Sequence, residues 1–168
     1  MDAMLKMGIW EQFGAAIDML DDAIRLCPDS LWTSVVWKDP DDARYGQYWY
    51  VAYHTVVWLD LYLFGASEGF APPPPFVRGQ LPEQPHTKEQ VRTYLAQCRQ
   101  KCQSTLEGLT DEKAQQICKF NWIETPYLIL QIYSMRHVQE HAAQLNLLLG
   151  QHDVPELDWV ATARSNAT

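Results

Sequence analysis

The stretch YWYVAYHTVVWLDLYLFG, residues 48–65, decides the fold. It is almost wholly apolar and close to the ~20 residues that cross a bilayer as a helix. His54 and Asp60 interrupt it, and an acid at the centre of a membrane helix costs about 2.5–3.5 kcal/mol. A helix that is apolar on every side yet carries two ionisable groups fits better at the centre of a helical bundle in water. No membrane partner is expected.

Outward from this segment, the chain reads as four long helices. The first is predicted over about Asp2–Cys27. Met7, Trp10, Ala15, Ile17, Leu20 and Ile24 form its apolar face, and Pro28 ends it because proline cannot continue the hydrogen-bond ladder. A turn-rich stretch with Pro28, Asp29, Asp39, Pro40 and Asp41 follows, then the second helix, Asp42–Phe64, capped by Gly65. Thr87-x-x-Gln90 has the spacing of a capping box and opens the third, which runs to Glu107. A short helical piece is expected over Asp111–Cys118. The fourth starts with Thr125 as N-cap and Pro126 in the first helical position, runs to Leu149 and stops at Gly150. The pattern predicts an all-α four-helix bundle over residues 1–150. A tail, 151–168, would dock, if at all, through Leu157 and Trp159.

The connection Ala66–His86 contains Pro72, Pro73, Pro74, Pro75, Pro82 and Pro85. A hairpin between neighbouring helices needs only ~2–8 residues. This one can travel the ~30 Å length of a bundle at ~3.3 Å per residue, which permits the second and third helices to run parallel. The plainer alternative is a disordered proline linker.

With 168 residues, 47% of them hydrophobic, the chain can bury one substantial core. A net charge of −8 and a pI of about 5.0 disfavour a phosphate backbone, so nucleic acid is not an expected partner. The opening MDAMLKMGIWEQFGAAIDML mixes acids into its apolar residues and does not read as a secretory signal. Cys27, Cys98, Cys102 and Cys118 are then expected as reduced thiols in a cytoplasmic protein.

The chemistry lies in Ser134-Met-Arg-His137-Val-Gln-Glu-His141-Ala-Ala-Gln-Leu. Four residues turn an α-helix by ~400°, so His137 and His141 share one face, one turn apart. Leu130, Tyr133, Gln144 and Leu148 continue that line, so both imidazoles should point inward. In the second helix, His54 lies on the face of Gln47, Tyr50, Val51, Val57, Trp58 and Leu61 and should also face the core. Three inward histidines can complete a site for Zn²⁺ or Ni²⁺. The competing reading is three hydrogen-bonded core histidines without metal.

One histidine in the second helix, HxxxH in the fourth and a long second connection resemble the DinB/YfiT-like metalloenzymes over about Leu5–Gln151. Gln144-Leu145 after the HxxxH pair is also in keeping. The resemblance implies an up-down-down-up bundle, a divalent metal on His54, His137 and His141, and a homodimer. It further implies transfer of a low-molecular-weight thiol such as bacillithiol or mycothiol to a small electrophile, or a hydrolase reaction. The alternative is a non-catalytic, stress-related bundle in which the metal joins helices.

Other candidates have plainer roles. Glu140 is expected in solvent, and Tyr50, Tyr53 and Tyr133 either line a substrate pocket or pack in the core. Cys98 and Cys102 are four apart but read as packing residues, and His86 and His152 are expected exposed. A ferritin-like di-iron centre needs Glu-x-x-His pairs, which positions 134 and 138 (Ser and Val) rule out.

Overall fold

The structure, a computed structural model, describes residues 1–155 and 158–165. Four long helices dominate it: α1 (Ala3–Leu26), α2 (Tyr48–Phe64), α3 (Lys88–Glu107) and α5 (Tyr127–Gln151), with a short α4 (Asp111–Gln115) before a two-stranded hairpin. α1 and α2 each pack against both α3 and α5. Phe13, Ile17, Leu20 and Ile24 recur along one stripe of α1 and are all fully buried. Each such side chain contributes about 1.5–3 kcal/mol relative to an exposed position. Against expectation, Met7 belongs to an exposed end of α1, together with Met4 and Leu5.

α2 is buried around most of its circumference, as its composition requires. Asp60 is tolerated there because the Tyr94 hydroxyl donates to Oδ2 at 2.7 Å and Lys101 Nζ meets Oδ1 at 2.6 Å. No helix among the described residues is long and apolar enough to cross a membrane. The helix is shorter than predicted at its start: residues 42–47 form a 3-10 turn and an extended Gln47. Its end at Gly65, and the capping box between Thr87 and Gln90, are as expected.

The segment between α4 and α5 departs from the prediction. Only Asp111–Gln115 is helical; Ile117–Phe120 (β1) pairs antiparallel with Ile123–Pro126 (β2), with Asn121 and Trp122 at the tip. Cys118 and Phe120 point inward while Ile117 and Lys119 point out, the two-residue alternation of a strand. Thr125 is therefore paired with Cys118 rather than capping α5, and Pro126 takes the N-cap place.

The proline-rich connection packs against the bundle and is no free linker. Phe76 stacks on Tyr94 at 4.8 Å between ring centroids, and the Tyr53 hydroxyl donates to the Val77 carbonyl. His86 is buried rather than exposed, its ring 4.7 Å from that of Phe76 and 4.9 Å from that of Tyr53. The Trp32 indole N–H holds its carbonyl at 2.8 Å.

Leu157 lies outside the described residues, and Trp159 is 73% exposed, so it does not anchor the tail. The contacts come from Val160, from Ala163 N–H donating to Glu11 O at 2.8 Å, and from Arg164 on Asp22. Ala163 comes so close to α1 that a Cβ on Gly14 would lie 2.4 Å from its own Cβ, so only glycine fits there.

Candidate metal centre

α2 and α5 pack face to face and bring His54, His137 and His141 together. The line Ser134, Val138, Ala142 and Leu145 is buried on α5, which turns the adjoining 137/141 pair toward α2. His137 Nε2 lies 3.3 Å from His54 Nε2 and 3.1 Å from His141 Nε2. All three ligand nitrogens fall within 4.8 Å of one another, and this is the one such group among the described residues. Three nitrogens at ~2.0–2.1 Å from one tetrahedral ion sit about 3.3–3.4 Å apart. The donor set and its spacing fit a divalent ion.

Protonation favours the same use. Gln144 Oε1, which can only accept, lies 2.7 Å from His141 Nδ1. The proton is therefore on Nδ1, and the lone pair of Nε2 faces His137. Burial lowers the pKa of all three rings. His54 falls well below the ordinary 6.5 through burial and the two neighbouring imidazoles, and His137 falls to about 3 through burial and His141. His141 is lowered by burial, opposed by its bond to Gln144 and by the charge of Glu140. The rings are neutral bases at pH 7, the form that binds metal. Among the described residues, His137 Nδ1 is buried without a hydrogen-bond partner.

Aromatic rings enclose the group. Trp58 lies 5.6 Å from the His54 ring, Tyr62 meets the His137 ring edge-on at 6.2 Å, and Trp37 stacks near-parallel to the His141 ring at 6.3 Å. The hairpin tip closes over one side, with Trp122 5.0 Å from Trp58. On the other side, a cavity of about 260 Å³ opens onto His54 and His141, walled by Trp37, Asp39, Asp41, Tyr45 and Tyr50. A larger hollow of about 540 Å³ around Arg25, Lys88 and Arg92 is a surface depression far in sequence and contact from the histidines.

The loop carrying Trp37 is held by Gly46. Val36 N–H donates to Gly46 O at 2.8 Å, and a Cβ on Gly46 would sit 1.9 Å from the Trp37 carbonyl oxygen. Of the tyrosines singled out in the sequence, Tyr50 lines the cavity, Tyr53 packs under the proline-rich loop and Tyr133 packs on Tyr62. Glu140 and His152 are exposed, and Cys98 and Cys102 are buried free thiols. The cavity wall from Trp37 to Tyr45 was not read from the sequence.

Residues 12–145, most of the chain, match the DinB superfamily. The chain belongs to that superfamily, as the three histidines and the helical fold around them indicate. No curated protein and no solved structure gives a significant match.

Proposed function

We propose that the chain holds Zn²⁺ or Ni²⁺ on His54, His137 and His141 and uses it to transfer a low-molecular-weight thiol to a small electrophile, or to hydrolyse one. The carrying observation is the convergence of three neutral imidazole nitrogens at 3.1 and 3.3 Å with a cavity opening beside them. A bound divalent ion supplies Lewis acidity and lowers the pKa of water or of a thiol. The chain does the rest. His54, His137 and His141 stay unprotonated because burial opposes their charge. Gln144 fixes the ring of His141 in the tautomer that presents Nε2, the role of a partner behind a ligand. Trp37, Tyr50 and Trp58 keep bulk water off the rings.

Three neutral ligands leave an ion its full charge and an open position, which favours catalysis over a closed structural site. The reading includes an up-down-down-up course for the four long helices, one bundle unit over residues 1–150, a cytoplasmic location and a homodimer. His137→Ala is expected to lower zinc affinity about a thousandfold, one ligand's share of a site worth ~10–16 kcal/mol. It should also abolish thiol transfer to monochlorobimane, with an unchanged circular-dichroism spectrum. Full turnover by chelator-treated, metal-free protein overturns the proposal. A metal that is retained without turnover, and whose removal sharply lowers the Tm, favours the non-catalytic bundle.

A further inference from the structure

The cavity beside the histidines has a charge pattern that its metal chemistry does not require. Its lining carries Asp39 and Asp41 and no Lys or Arg. Neither acid belongs to the group of atoms that can share an ion with the histidines. Asp39 Oδ1 accepts from the backbone N–H groups of Asp41, at 3.0 Å, and Asp42, at 3.3 Å, which fixes the carboxylate at the end of a tight turn. Asp39 Oδ2 and the whole Asp41 carboxylate have no protein partner among the described residues. The nearby Arg44 is bound to Asp42 through Nε and Nη2, the shortest contact 2.7 Å, and does not reach the cavity. Lys38 is exposed and does not line it.

Three aromatic rings share the cavity wall with these acids and the imidazoles. Tyr45 and Tyr50 meet edge to face at 5.0 Å, Tyr50 lies 6.1 Å from the His54 ring, and Trp37 lies 6.3 Å from that of His141. Aromatic faces with carboxylates behind them attract an ammonium or guanidinium group within about 6 Å of a ring centroid. An anionic head in the same place would meet two like charges. The volume of about 260 Å³ admits one small molecule.

We infer that this cavity selects a small substrate with a cationic head, held by Trp37, Tyr45 and Tyr50 against Asp39 and Asp41, and with its reacting end at the histidines. The inference rests on the proposed reaction centre only for placing the reacting end; recognition of the cation is a property of the cavity wall.

The test compares choline with its uncharged isostere 3,3-dimethyl-1-butanol by titration calorimetry, using the full chain loaded with zinc and checked by elemental analysis. Choline is expected to bind at least about tenfold tighter than the alcohol, in keeping with a partly desolvated cation–aromatic contact. Asp39→Asn/Asp41→Asn should reduce that preference about tenfold with zinc content unchanged. Asn at 39 keeps an oxygen for the turn, and Asp41→Asn alone, at an exposed position whose carboxylate makes no hydrogen bond among the described residues, should show part of the loss with the fold undisturbed. Equal binding of the two probes, or a choline affinity indifferent to both substitutions, overturns the inference. If the wild-type chain takes up no zinc, the metal reading fails, while the choline preference of the zinc-free chain still decides this one.

Discussion

On α1, Asp18 and Asp22 are 5% and 9% exposed, and both are met by cations. Arg99 reaches Asp18 through Nε at 2.7 Å and Nη2 at 3.1 Å, the Arg164 backbone N–H adds a third bond at 2.7 Å, and Arg25 and Arg164 both bind Asp22. Between α2 and α5, three half-buried imidazoles come together with no carboxylate paired to any of them among the described residues. The first cluster is complete in the protein itself and ties α1, α3 and the tail together. The second keeps its bases neutral and brings Nε2 of His137 within 3.3 Å and 3.1 Å of those of His54 and His141, a cluster of donor atoms with no charged partner among the described residues. Polar groups taken into the interior are matched by opposite charge in one place and left as a set of neutral donors in the other.

Breaking the completed cluster should have the largest effect on stability. Asp18→Ala removes three acceptor bonds at once and is expected to cost about 3 kcal/mol in urea denaturation. Zinc affinity should not change, because the two clusters share no residue. An equal loss of metal binding would erase the contrast. A smaller effect sharpens the other side: Gln144→Leu frees the His141 ring and should weaken zinc binding about tenfold, leaving the stability of the metal-free protein within about 0.5 kcal/mol. Calorimetry and thermal melts separate the two readouts.

The smallest effect is set by pH. Burial pushes the Asp22 carboxyl up, but its bonds to Arg164 and Arg25 and their charge outweigh this and hold its pKa below the ordinary 3.8. A depressed folded-state pKa means that its stabilisation is complete above the unfolded value and fades as pH falls through the folded one. Amide exchange at Ala163, whose N–H is bonded to Glu11 O, should therefore lose protection below about pH 3.8, relative to α2, more steeply in wild type than in Asp22→Asn. The same profile in both would remove Asp22 from the account.

Periodicity carries its information locally, and the legible parts were local. The inward pair on α5, the Gly65 stop and the Thr87–Gln90 box each depend on residues within one turn or two. That His54 meets the pair followed from placing both faces in one core. The hairpin was hidden because Ile117–Phe120 is only four residues long and follows a real helical turn, and because Thr125-Pro126 imitates a helix start. Trp159 is not the anchor of the tail because the contacts come from the neighbouring Val160, from the Ala163 backbone N–H and from Arg164. A sequence pattern does not say which of two adjacent apolar residues turns inward, and it does not mark a backbone donor at all. The cavity wall depends on a loop fold fixed by the close approach of Gly46 to Trp37, which no short-range pattern encodes.

Trp37 and Trp58 have a practical consequence. One indole is stacked on the ring of His141 and the other lies 5.6 Å from that of His54. Imidazolium and open-shell metal ions drain the excited state of a nearby indole, so the protein carries its own optical reporter. Titrating Ni²⁺ into it while following emission, with Trp37→Phe and Trp58→Phe to divide the signal, would register site filling without any label.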